Sequence, residues 1–223
     1  MSWRSPKTES GLSIIELLTV LGILTLLLSL AISSQQSALA LVKRIRCQAN
    51  LRQWGLATQF YAQENNDYLP RDGSPNGSSV AAGWYIDLPK ALGIPPYNEA
   101  RWRTNPSILV TPKLWLCPSN RRRSNGRNLF HYCLNQHING VGTGAQVQIS
   151  NLSSPEKLVW LFDNGGLAAV AQQNNVHTNI HQGGANFLFA DGHVSHRSSQ
   201  DFWNFQTDRG STNAPSITWR PAP

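Results

Sequence analysis

Two sets of residues in this 223-residue chain have types and spacing suited to chemistry. The first is near the C-terminus: His181, Asp163, Asp191 and His193 combine imidazoles and carboxylates, the ligand types of zinc sites and of acid–base work. Asp191-Gly192 is explained without catalysis, as the two central residues of a type I′ hairpin turn in which Gly192 tolerates positive φ. His193 and His196 fall on alternate faces about Val194, and no Ser or Cys nucleophile motif accompanies them. These residues therefore read as structural, with His181 hydrogen-bonding the loop backbone near the hairpin, through Asp163; no catalytic residue, metal or cofactor is expected. The second is Glu16, one carboxylate inside an otherwise apolar run over residues 12–32. Those 21 residues match the ~20 that a helix needs to cross a bilayer. A carboxylate there costs roughly 2.5–3.5 kcal/mol on insertion scales, so it asks for a partner.

Two further groups carry weaker signals. Cys47, Cys117 and Cys133 leave one thiol unpaired whichever bridge forms. Cys117 with Cys133 is the expected pair, because both lie in the globular part, while Cys47 packs on a helix as a small apolar residue. No CxxC spacing suggests zinc. Arg121, Arg122, Arg123 and Arg127 form a basic loop whose simplest reading is a solvated one, though beside exposed Trp they could meet a polyanion.

The positioning elements follow from periodicity. Residues 34–61 contain no Pro and only Gly55, and Cys47, Leu51, Trp54, Thr58 and Tyr61 recur at spacings of four and three, one amphipathic stripe made to pack on a sheet. The helix should end near residue 62, before Asn65-Asn66-Asp67. Irregular structure is expected over residues 81–111, with one short helix near Leu88, and a short strand at residues 113–118. Residues 158–162 read as a buried strand, and residues 186–190 and 193–196 as the hairpin arms. A two-residue turn pairs Ala190 with His193 and places Phe187, Phe189 and Val194 on one buried face. Residues 207–223, with three prolines, read as an edge or tail.

The string Gly11-Leu12-Ser13-Ile14-Ile15-Glu16 ahead of an apolar run resembles the type IV prepilin class 3 signal. That resemblance implies cleavage between Gly11 and Leu12 by a prepilin peptidase, methylation of the new amine, and pairing of Glu16 with the Leu12 amine of a neighbouring subunit. Leu12 stands where the family usually has Phe. His181-Gln182-Gly183-Gly184 through Asp191-Gly192, with Arg46-Cys47-Gln48-Ala49-Asn50, Cys117-Pro118-Ser119 and Leu161-Phe162-Asp163, is similar to the prepilin-type His-x9-Asp-Gly proteins of planctomycete and verrucomicrobial type. The implied fold class is α+β and pilin-like: a long N-terminal helix, half transmembrane and half amphipathic, packed on a small antiparallel sheet with long irregular loops. The divisions are a leader (1–11), a transmembrane segment (12–33), an amphipathic continuation (34–62) and a globular domain (63–223). Major pseudopilins bind calcium, but Asp163, Asn164, Asp201 and Asp208 lack a ligand-loop spacing, so no ion is assigned.

The net charge of +7 stays at +6 once Arg4, Lys7 and Glu9 leave with the leader, which favours anionic partners without choosing one. The expected function is structural rather than enzymatic: a pseudopilin-like subunit of a type II secretion or type IV pilus-like filament, partnered by like subunits, the peptidase and the inner membrane. It would be single-pass with its C-terminal domain in the periplasm or an extracytoplasmic filament, although Lys43, Arg44, Arg46 and Arg52 after the span favour the opposite orientation by charge count alone. The alternative is a minor pilin-type module that captures DNA or another polyanion.

Overall fold

Helix α1 (Ile14–Glu64) begins at a capping box: Ser13 N donates to Glu16 Oε2 (2.8 Å) and Glu16 N to Ser13 Oγ (3.3 Å). In this computed structural model the described residues are 11, 13–124, 128–139, 145–212 and 214–221, without the side chains of residues 31–34. Leu12 and Arg127 lie outside them. The chain divides into two units, residues 1–39 and 40–223, and α1 contributes to both.

In the first unit, α1 is apolar on every side. Its leucines, isoleucines and valine are at least half exposed from Ile14 to Leu30 among the described residues. Its hydroxyls turn inward: Thr19, Thr25 and Ser29 each donate to the carbonyl three residues back. This part of the helix has the length and composition that can cross a bilayer, with its polar groups satisfied within the segment.

In the second unit the same helix is amphipathic. Cys47, Leu51, Trp54, Ala57 and Thr58 are buried, with Tyr61 packed beside them, as the spacing predicts. They cover one face of a five-stranded sheet with order β3-β1-β2-β4-β5: β1 (Tyr132–Asn135), β2 (Val159–Asp163), β3 (Val170–Ala171), β4 (Gly184–Phe189) and β5 (Val194–Ser198). The sheet is mixed rather than antiparallel, because β1 and β3 run parallel. Helix α2 (Trp84–Ala91) is followed by irregular chain with single 3-10 turns, one of them over Lys113–Trp115 where a strand was expected. Beyond β5 come the short α3 (Ser199–Phe202) and the ribbon β6 (Trp203–Asn204) with β7 (Arg209–Gly210).

Both sheet faces are buried, which explains the unbroken apolar run of β2. On the α1 side lie Leu134, Leu161 and Leu188 with an aromatic cluster. Trp54 meets Trp84 edge-on (5.7 Å) and Trp115 (4.7 Å), and Tyr97 stacks on Phe130 (4.0 Å). On the other side lie Cys133, Phe162, Phe187, Phe189, Phe202 and, against expectation for a tail, Ile217 and Trp219. A bulge between Val159 and Leu161 turns Trp160 toward α1, where its Nε1 donates to Thr58 Oγ1 (2.9 Å).

The hairpin differs from expectation by one residue. Leu188 pairs with Val194, and Phe189 N donates to the His193 carbonyl, so the loop is Ala190-Asp191-Gly192, with Gly192 at φ 93°. This is a three-residue loop ending in a left-handed glycine, not a type I′ turn. The shift moves Val194 from the Phe187 and Phe189 face to the α1 face.

Gly55 sits where this hairpin meets α1: a Cβ there would lie 2.9 Å from Leu188 Cδ1 and 3.2 Å from the Gly192 carbonyl. Gly55→Val should therefore lower stability by about 2 kcal/mol through overpacking. Thermal unfolding of the detergent-solubilised chain should show the loss, while Gly22→Val, with nothing within 4 Å of its Cβ, leaves the transition of the second unit unchanged.

Candidate functional site

Four strands place a polar row across the sheet face beneath α1. The register pairs Tyr132 with Asp163 across β1 and β2, and Asn186 with His196 across β4 and β5. The β2–β4 register, with Phe162 opposite Phe187, sets Asp163 beside Asn186. Tyr132, Asp163 and Asn186 are fully buried or nearly so.

Asp163 is the centre of this row. Its side chain has no exposure; Oδ2 accepts from Asn186 N (2.7 Å) and lies 3.1 Å from His181 Nε2. His181 is held from both sides: its N donates to the Gly184 carbonyl (3.1 Å), and its carbonyl faces His196 Nε2 (3.0 Å). Gln182 and Gly183 take left-handed φ (53° and 84°) to turn the chain from His181 into β4. Gly184 admits no side chain, because a Cβ would collide with the Arg197 carbonyl. The nine residues between His181 and Asp191 are thus this turn, strand β4 and Ala190.

The structure brings His181 and Asp163 together but leaves Asp191 elsewhere. Asp191 is partly exposed at the hairpin tip, where its Oδ1 accepts from His193 N (3.0 Å) and meets His193 Nδ1 (2.7 Å), while the His193 ring stacks on Phe189. Gly192 serves the turn alone.

The cysteines correct the expectation drawn from sequence. The bridge joins Cys47 of α1 to Cys117, not Cys117 to Cys133, and Cys133 is a buried free thiol. The reason is strand alternation: Cys133 in β1 points to the face opposite α1, so the sheet separates it from Cys117. Burial also pushes its thiol well above the usual range. The bridge lies against the polar row, with Cys117 Sγ 3.5 Å from His181 Nε2. Cys47, Cys117 and His181 are the one group of three metal-ligating side chains found close together among the described residues. Sequence reading missed it because its members stand on three separate elements.

Around the bridge the backbone is fixed by side chains. His131 Nδ1 accepts from Cys117 N (3.1 Å), and Asn50 Nδ2 donates to the Leu116 carbonyl (2.8 Å) and to Tyr132 Oη (3.1 Å). Asn164, fully buried, donates to the carbonyls of Phe130 and Ala168. By contrast Asp163 Oδ1, His181 Nδ1 and both polar side-chain atoms of Asn186 are buried with no hydrogen-bond partner among the described residues. Such groups are rare in native interiors and mark a polar space.

Beside the basic loop, the exposed Trp of the sequence reading is not found among the described residues. Arg121, Arg122 and Arg123 are exposed, but six of the seven described tryptophans are buried in the two cores and Trp203 is half-buried.

Burial lowers the pKa of His131 to about 4, against a hydrogen bond at the Arg122 carbonyl that acts the other way. His131 is thus neutral in the fold and protonated in the unfolded chain below about pH 6.5, so its contribution is present above that pH and lost as pH falls toward 4. His177, His196 and His137 shift in the same direction. Asp72 acts oppositely: burial raises it to about 6, so its contribution is lost as pH rises through that value. Acidification from pH 6.5 to 4 should cost on the order of 2–3 kcal/mol through His131. His131→Gln should flatten the fall of Tm over that window, and an unchanged slope would contradict the assignment.

The bridge spans 70 residues of sequence, a loop whose closure is worth about 4 kcal/mol in the chain-entropy description. Peptide mapping of the oxidised chain should recover Cys47 linked to Cys117 and Cys133 alkylated. Replacing both bridged cysteines by Ser should lower stability by about 2–4 kcal/mol.

No family model, no curated protein and no solved structure matches this chain.

Proposed function

We propose that the chain is a pseudopilin-like structural subunit of a type II secretion or type IV pilus-like filament, held in the inner membrane by its N-terminal helix until assembly. The observation that carries this reading is the division of α1. Its N-terminal half exposes apolar side chains on all sides from Ile14 to Leu30 among the described residues, while its C-terminal half is built into a folded α+β head. A helix apolar all round needs lipid or other helices about it. A subunit moving from bilayer to filament core meets both in turn.

In this reading the leader peptidase cuts between Gly11 and Leu12, and Glu16 meets the Leu12 amine of the next subunit. The head then stands in the periplasm or on the filament, and the Cys47–Cys117 bridge suits that oxidising side. Capture of a polyanion remains a lesser reading, resting on Arg121–Arg123 by charge alone.

The capping box sharpens the test. Glu16 already accepts from Ser13 N, so Glu16→Ala removes both a helix cap and a charge. Glu16→Gln keeps an acceptor at the capping position and removes only the charge. Both variants should insert and lose the leader, as read by the mass of the mature chain. Both should fall at least tenfold in the sheared filament fraction. Normal incorporation of Glu16→Gln would reduce Glu16 to a helix cap and sink its role in assembly.

A further inference from the structure

We propose that the reduced chain binds one Zn²⁺ ion through Cys47, Cys117, His181 and Asp163, in the buried space that the Cys47–Cys117 bridge occupies when oxidised. The Sγ atoms of both cysteines and a ring nitrogen of His181 lie within 4.8 Å of one another, all buried. Two edges of a tetrahedron are already set. Cys117 Sγ to His181 Nε2 is 3.5 Å and His181 Nε2 to Asp163 Oδ2 is 3.1 Å. Zinc bonds of about 2.3 Å to sulfur and 2.0–2.1 Å to nitrogen and oxygen require edges of about 3.6 and 3.3 Å. The two sulfurs must separate to about 3.8 Å, and breaking their bond allows that through side-chain rotation.

The donor set and its surroundings suit zinc. Two thiolates, one imidazole and one carboxylate are borderline-soft N, S and O ligands in a closed, four-coordinate arrangement of the structural kind. Asn186 N holds Asp163 Oδ2, an outer contact that orients this ligand, and the His181 backbone is held by Gly184 and His196. The unpartnered Asp163 Oδ1 and Asn186 side chain add polarity to the same space. Cys133 does not compete, because it points to the other face of the sheet.

The two states exclude each other, since a disulfide sulfur carries no thiolate charge. A phosphine reductant delivers two electrons to the S–S bond, takes oxygen from water to become the phosphine oxide, and leaves two thiols. Zn²⁺ then displaces both thiol protons to solvent, so binding tightens as pH rises. The fold would therefore be closed at one point either by a covalent bridge or by an ion, according to the redox state of its surroundings.

The test uses the full chain in detergent micelles, with and without phosphine, titrated anaerobically with Zn²⁺ and with Co²⁺ as a spectroscopic substitute. The reduced chain should bind one Zn²⁺ with Kd below about 1 μM, should show a thiolate-to-cobalt charge-transfer band, and should gain Tm on adding zinc. The oxidised chain should do none of these, and Cys133→Ser should behave as the native chain. Cys47→Ser and Asp163→Asn should each weaken binding at least tenfold, with near-ultraviolet circular dichroism of the buried tryptophans reporting whether each variant is folded. Where a variant is unfolded, the native chain decides. Absence of stoichiometric zinc, absence of any Tm gain in the reduced native chain, or an undiminished cobalt band in the Cys47→Ser/Cys117→Ser double variant would each overturn the proposal.

Discussion

A carboxylate with no access to water has to be held by the protein, and Asp163 is held where the head is joined together. It stands at the end of β2, accepts from the backbone of β4 and meets the imbedded ring of His181, while the next residue, Asn164, ties the loops around residues 130 and 168. Removing one partner of such a group leaves the other's polarity unanswered in a low-dielectric interior, which is the costly outcome. The turn at Gln182-Gly183, the bare backbone of Gly184 and the placing of Cys117 all serve to bring partners to this one point.

Above that point runs a helix of two characters. Its membrane-like half needs no partner within the chain, because its hydroxyls answer their own backbone. The other half must find one, and the sheet supplies it through Trp54, Gly55 and Thr58, with Trp160 turned toward the helix by a bulge. The bridge from Cys47 to Cys117 secures the same helix to the irregular chain that follows α2, a region with few backbone ladders of its own. Trp54, Trp84, Trp102, Trp115 and Trp160 fill the core on the helix side of the sheet, and Trp219 lies in the core on the other.

Legibility in the sequence follows the range of the forces involved. The amphipathic stripe of α1, the buried strand at β2 and the existence of a hairpin about Asp191-Gly192 were readable, because each expresses a local period or a turn residue. The capping box at Ser13 and Glu16 was equally local, but the apolar run drew attention to the charge of Glu16 rather than to its spacing from Ser13. The hairpin register failed by one residue, since a three-residue loop and a two-residue loop use the same Asp-Gly signal. Strand β1 was missed because Tyr132-Cys133-Leu134-Asn135 is short and carries no alternation when both faces are buried.

The sequence by itself determined a long helix of two characters ahead of an α+β head, and a histidine close enough to a carboxylate-bearing strand to serve it. Only the tertiary structure decided that the sheet is mixed, that Cys47 rather than Cys133 bridges Cys117, and that Cys47, Cys117 and His181 converge, with Asp163 against His181. Those residues stand on a helix, a loop, a strand end and a turn. No periodicity relates them; their meeting is set by which sheet face each element buries, a choice made by packing the whole chain at once.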